Sequence, residues 1–170
     1  MKWYRLYKES MALEGRNNPT NATAYHITRN KFSKFKLSPT NSGMGTSFYG
    51  YGLYFACDKS TMDYYKEQMG KPYYIYEVTL DSTNFVDEWD EKHGLEYYGH
   101  LVEALGSEQA ATKKMLKNGI TGMTYFSPED GNSIVIYTDK VVKDFRLIES
   151  SEPVNENRRH NNGNHNRRRF

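Results

Sequence analysis

Between Tyr73 and Leu80 the chain alternates between two sets of residues, Tyr74, Tyr76, Val78 and Leu80 against Tyr73, Ile75, Glu77 and Thr79. A period of two puts each set on its own face of a strand, and the more apolar first set is expected to point inward. Shorter β-prone runs predict further strands over residues 23–28, 53–56, 120–125, 132–138 and 143–148. Turn-forming Pro128-Glu129-Asp130-Gly131 and Asp139-Lys140 separate the last three. Asp58 offers an N-cap for a helix running to about Met69, stopped by Gly70 with Pro72 beyond it. Two more helical stretches follow, near 97–105 and from a Ser107 N-cap to Lys117, the second closed by Asn118-Gly119. Residues 3–7 read as a first strand or a linker remnant. Residues 38–52, rich in Gly, Ser, Thr and Asn, read as a long surface loop, of a kind that in a compact domain is functional or mobile.

Strands outnumber helices and do not alternate with them, which predicts an α+β fold with mainly antiparallel sheets rather than a doubly wound one. At 170 residues the chain has the length of one domain able to bury a core without metals or disulfides. After Glu149 almost nothing is apolar, so a domain over residues 1–149 followed by a disordered basic tail over 150–170 is expected. The formal net charge of +2 is uneven: five arginines against Glu152 and Glu156 give the tail +3 and leave the body at −1. A body of that charge is no phosphate-backbone binder by composition, whereas the tail suits weak, salt-sensitive contact with nucleic acid. One cysteine, Cys57, excludes a disulfide framework, and no apolar run of signal or membrane-spanning length opens the chain. A cytoplasmic setting without membrane attachment is the expectation. Fifteen tyrosines, many between Tyr49 and Tyr76, suit either a tyrosine-rich β-core or a cleft that stacks an aromatic ligand.

Familiar cofactor motifs are missing. There is no phosphate loop and no dinucleotide-binding glycine fingerprint, and Gly43-Met44-Gly45 lacks the helix such motifs require. His93 and His100 have no third ligand nearby, so zinc is not expected. What remains is an ordered set: His26-Ile27-Thr28 at the end of a strand, Phe32-Ser33-Lys34-Phe35, then Gly50-Tyr51-Gly52-Leu53-Tyr54-Phe55-Ala56 and a tyrosine pair on the next helix. Tyr76-Glu77-Val78-Thr79-Leu80, Gly119 to Tyr125, and Asn132 to Ile148 continue it.

This order resembles the ADP-ribosyltransferase superfamily, in its His-Tyr-Glu branch that includes the poly(ADP-ribose) polymerases. It is most similar to the small transferase domains of polyvalent phage and mobile-element proteins, over about residues 24–148. The resemblance implies split antiparallel β-sheets with a few flanking helices, and NAD as substrate. It implies that His26 hydrogen-bonds the adenosine ribose, with Thr28 supporting the same end. Tyr54, following Gly52, would lie under the nicotinamide ring and Tyr65 over it, since an aromatic sandwich holds a flat pyridinium by stacking and cation–π attraction. The backbone of Ile27, where the family has glycine, still offers its N–H and C=O to the carboxamide. Met62 stands where the polymerases carry a serine for the same amide.

A further departure concerns charge. Where the family's last strand begins with a glutamate that steadies the developing oxocarbenium ion, the matching residue is Ser133. Serine is uncharged, so chain elongation into a polymer is not expected, while transfer of a single ADP-ribose is. Glu129 and Asp130 just before the strand are candidate substitutes, although a solvated turn is the favoured reading. The expected activity is mono-ADP-ribosylation of a macromolecular acceptor, a host protein or a nucleic acid, with His26, Tyr54 and Ser133 as catalytic candidates. The alternatives are an NAD glycohydrolase, a catalytically weakened NAD-binding module, and a nucleic-acid-associated protein acting through its Arg/Asn tail.

Overall fold

A computed structural model of the chain describes residues 21–37, 49–87, 89–90 and 95–151. The expectations for residues 3–7, for most of the 38–52 loop, for His93 and for the tail beyond residue 151 lie outside the described residues. The strands are β1 (Asn21–Thr28), β2 (Leu53–Ala56), β3 (Tyr74–Asp81), β4 (Phe85–Asp87), β5 (Trp89–Asp90), β6 (Leu95–Glu96), β7 (Gly122–Ser127), β8 (Gly131–Ile136) and β9 (Val142–Ser150). The helices are α1 (Thr61–Met69), α2 (Tyr97–Leu105) and α3 (Glu108–Lys117).

The architecture is α+β. Seven strands form one sheet in the order β4-β7-β8-β2-β1-β3-β9, and β5 pairs with β6 alone. All neighbours in the large sheet are antiparallel except β4 and β7, whose connection passes through α2 and α3. A parallel pair requires such a crossover, and the short β4 that needs it carries no periodic signal. The two split sheets expected from the sequence are instead one sheet with a narrow waist. Eight registered pairs join β1 to β3 and four join β2 to β8, whereas among the described residues Tyr25 and Ala56 form the one registered pair between β1 and β2.

Local signals explain most boundaries. Ser107 caps α3 by accepting from the Ala110 N–H at 3.2 Å, and Gly119 turns the chain out at φ 81°. Asp58 does not cap α1. Its carboxylate accepts from the Ser60 N–H at 2.8 Å, closing a side-chain turn, and the helix starts three residues later at Thr61. At the other end of the domain β9 runs to Ser150, two residues past the expected stop. Ser151 then ties back to Tyr73 through N–H to carbonyl at 3.1 Å and N–H to hydroxyl at 3.0 Å.

One face of the sheet buries Ala24, Phe55, Tyr76, Val78, Ile134 and Ile136 under Phe35. The other face is covered in two separate places. At one, Ala111 and Met115 of α3 pack on Met123, Val135 and Tyr137. At the other, Met62 of α1 packs on Ala56 and Ile75. Ile75 was expected outward; it is fully buried because α1 covers its end of the strand, while Glu77 and Thr79 beyond the helix stay partly exposed. No helix among the described residues is long and apolar enough to cross a membrane. Ile75→Ala is expected to cost about 2–5 kcal/mol, the range for emptying a closed aliphatic site, read from the urea midpoint. A loss below about 1 kcal/mol would mean that α1 does not close over the strand.

Candidate functional site

His26 lies in β1, two residues before its end, beside the waist. Tyr25 is paired with Ala56, but pairing lapses at the next step, and the Tyr54 carbonyl is taken by the His26 imidazole, Nδ1 to oxygen at 3.0 Å. A carbonyl only accepts, so Nδ1 carries the proton and Nε2 is left as a lone-pair acceptor. The ring sits in an aromatic box, its centroid 5.4 Å from Phe55 and 5.8 Å from Phe35. Burial among these rings lowers its pKa from 6.5, partly opposed by the bond to Tyr54, which favours the neutral form relative to a free imidazole. Tyr76 braces Phe32 beside this ring, stacking on it at 4.3 Å and exchanging hydrogen bonds with its backbone, and His26 stays partly exposed. The Thr28 hydroxyl accepts from the Asn30 N–H at 3.2 Å and so serves the turn after β1.

Tyr54 points to the opposite face. Its hydroxyl donates to the Gly50 carbonyl at 2.7 Å and accepts from the Tyr49 N–H at 3.2 Å, and its ring packs edge-on to Tyr125 at 6.2 Å. Burial pushes this phenol well above its ordinary value. The glycines before it have separate reasons. Gly50 adopts φ 96°, a left-handed value, while a Cβ on Gly52 would come within 2.4 Å of the Ile136 carbonyl and 2.6 Å of the Val135 side chain. Gly52 therefore sets how closely β2 approaches β8.

Tyr65 of α1 lies on the same face as Tyr54, packed with Met62, Tyr25 and Ile27. Its hydroxyl donates to the Asp130 carboxylate in the β7–β8 turn. Burial first, and Asp130 second, raise its pKa. Ser133 in β8 is 2% exposed; its hydroxyl donates to the Gly131 carbonyl at 3.3 Å and favours the ionised form of the neighbouring Tyr125 phenol, which burial nevertheless holds high. Tyr125 in turn feels both Tyr54 and Asp130. Tyr49, Tyr54 and Tyr125 thus form a connected group of rings on this face, with Tyr65 on α1 tied to Asp130.

The expected slot is consequently only partly assembled. Tyr54, Tyr65, Ile27, Met62 and Ser133 share one face, whereas the His26 ring lies on the other, joined to Tyr54 through the backbone carbonyl alone. The reason is register. His26 stands level with Phe55 across the waist, so alternation sends it away from Tyr54. Tyr54 has Tyr125 and Tyr65 has Tyr64 as ring partner, so the two do not face each other as touching plates.

An open depression of roughly 630 Å³ lies between the start of α1 and the β7–β8 hairpin. Tyr25, Cys57, Thr61, Phe126 and Asp130 line it, with Phe126 67% exposed at its rim. The sequence reading did not single out Tyr125, because its neighbours in the group lie 60 or more residues away and no local period links them. Among the described residues no group of histidine, cysteine and acids is placed to hold a metal, and His100 is exposed beside Glu103 at 4.0 Å. No protein-family model matches the chain, and no curated protein sequence matches it.

Gly52→Ala is expected to destabilise by about 2–3 kcal/mol or more in urea unfolding, because the clash is with backbone that cannot rotate away. For His26, nitrogen NMR should report a neutral ring protonated on Nδ1 at pH 6.5, where a free imidazole is half charged. The folded protein favours the neutral ring more than the unfolded chain does. Its contribution to stability is therefore full above pH 6.5 and is lost as pH falls through the lowered folded value. An imidazolium at pH 6.5 would contradict this environment.

Proposed function

We propose that the chain binds NAD and cleaves its nicotinamide–ribose bond, passing a single ADP-ribose to a macromolecular acceptor. The observation that supports the reading is that Tyr54, Tyr65 and Ser133 share one face of the sheet, with Tyr54 packed on Tyr125 and Tyr65 tied to Asp130. Neutral phenols with electron-rich ring faces suit a flat cationic pyridinium. Beside them the β1–β2 pairing lapses at Ile27, where strand backbone no longer engaged by β2 would suit a carboxamide.

His26 would offer Nε2 to a ribose hydroxyl of the adenosine end. Since its ring and that of Tyr54 flank the waist from opposite sides, the dinucleotide would have to bend around the waist rather than lie flat on one face. The acceptor would approach from the depression by Phe126, and either a host protein side chain or a nucleic acid fits this reading. Ser133 supports a second reading in the same fold: without a carboxylate on β8 the sugar passes to water, which is NAD glycohydrolysis, or cleavage is weak.

The test is release of nicotinamide from NAD by the purified chain, with NAD labelled in its adenosine half and a cell lysate as source of acceptor. Release with labelled macromolecule is the expected result, lowered about tenfold or more in His26→Ala and in Tyr54→Ala that still fold. Release without labelled product would favour the glycohydrolase. No release by folded protein would remove the enzymatic reading.

A further inference from the structure

Breaking a glycosidic bond to a pyridinium leaves positive charge on the ribose, and an anion fixed in advance beside that sugar is worth far more than one that must be recruited. β8 supplies none, since Ser133 is uncharged and already hydrogen-bonded. Three carboxylates line the neighbouring depression, Asp58, Glu129 and Asp130. Asp58 is exposed and closes the turn at Ser60, and Glu129 is exposed. Asp130 differs. It is half-buried, its N–H donates to the Ser127 hydroxyl at 3.3 Å, and its carbonyl accepts from the Thr61 hydroxyl at 3.3 Å. Its carboxylate accepts from the Tyr65 phenol and acts electrostatically on Tyr125. A turn residue held at both backbone ends and at the side chain is preorganised, and this one is fixed on Tyr65.

We propose, resting on the NAD-cleaving reading above, that Asp130 is the catalytic carboxylate of this chain, standing in from the β7–β8 turn for the charge that Ser133 lacks. In the step it serves, the bond between ribose C1 and the nicotinamide nitrogen breaks with both electrons going to nitrogen, and neutral nicotinamide leaves. The Asp130 carboxylate faces the resulting oxocarbenium ion without bonding to it. An acceptor nucleophile or water forms the new bond to C1 and gives its proton to solvent. Tyr65 then has two tasks, its ring on the leaving group and its hydroxyl orienting the carboxylate.

Nicotinamide release by the full chain, measured across NAD concentrations, tests this. Asp130→Asn is expected to lower kcat about 10²–10³-fold with KM for NAD within about threefold, the signature of an interaction made in the transition state. Asp130→Glu should recover at least about tenfold of that loss. Tyr65→Phe, which removes the hydrogen bond but keeps both ring and carboxylate, should lose less than about tenfold. Glu67→Gln on the exposed side of α1 should match the wild type. The inference is overturned if Asp130→Asn turns over within about threefold of an active wild type, or if Tyr65→Phe is as slow as Asp130→Asn, which would reduce Asp130 to an anchor for Tyr65. A folded wild type that releases no nicotinamide would instead remove the underlying reading and this inference with it.

Discussion

The four residues of β2 are the constraint on which the structure turns. They must join β8 along their whole length while touching β1 at a single registered pair, Tyr25 with Ala56. Gly52 allows the first by admitting the Ile136 carbonyl where a Cβ would stand, and His26 manages the second by taking the Tyr54 carbonyl that a continuing ladder would have used. A buried carbonyl left without a partner costs about 1–3 kcal/mol, so the imidazole is a structural necessity at the waist before it is anything else. Its neutral Nδ1-protonated form follows from the same bond. Nε2 is left as the acceptor nitrogen of the ring.

The abundance of tyrosine has a physical explanation in the same terms. Loops with few apolar residues have little to bury, and hydroxyls reaching out of the sheet hold them instead. Tyr76 binds the Phe32 carbonyl at 3.2 Å, Tyr54 the Gly50 carbonyl at 2.7 Å, and Tyr137 the Tyr49 carbonyl at 2.8 Å. Each ring contributes area to the core and each tip satisfies a backbone group that phenylalanine would leave bare. The core reading of the composition is realised in Tyr76 and Tyr137, while Tyr54, Tyr125 and Tyr65 are partly buried on one face of the sheet.

Elements set by neighbours in the chain were legible in advance. β2, α2 and α3 begin and end within a residue of their expected bounds, because capping residues, glycines and short apolar runs act within a few positions. The short β4 was not foreseen, since three residues paired to a strand far along the chain have no periodicity of their own. Ile75 was assigned to the wrong environment for a related reason: alternation reports the face of a strand but not whether a helix covers it. Within the site, Tyr54, Tyr65, Ile27, Met62 and Ser133 were foreseen and do share a face.

Sequence alone determined the residue types and their order: strands of period two, helices with their stops, glycines where the backbone must turn or close in, and a serine rather than an acid on β8. These depend on chemistry within a few residues. Tertiary structure decided which of them meet. A waist one pair wide sends His26 to the far side of the strand from Tyr54, and packing of α1 against the β7–β8 turn brings Asp130, a residue of a seemingly solvated turn, onto Tyr65. Such contacts depend on register and on the angle at which elements close, which arise only when distant segments compete for the same buried surface.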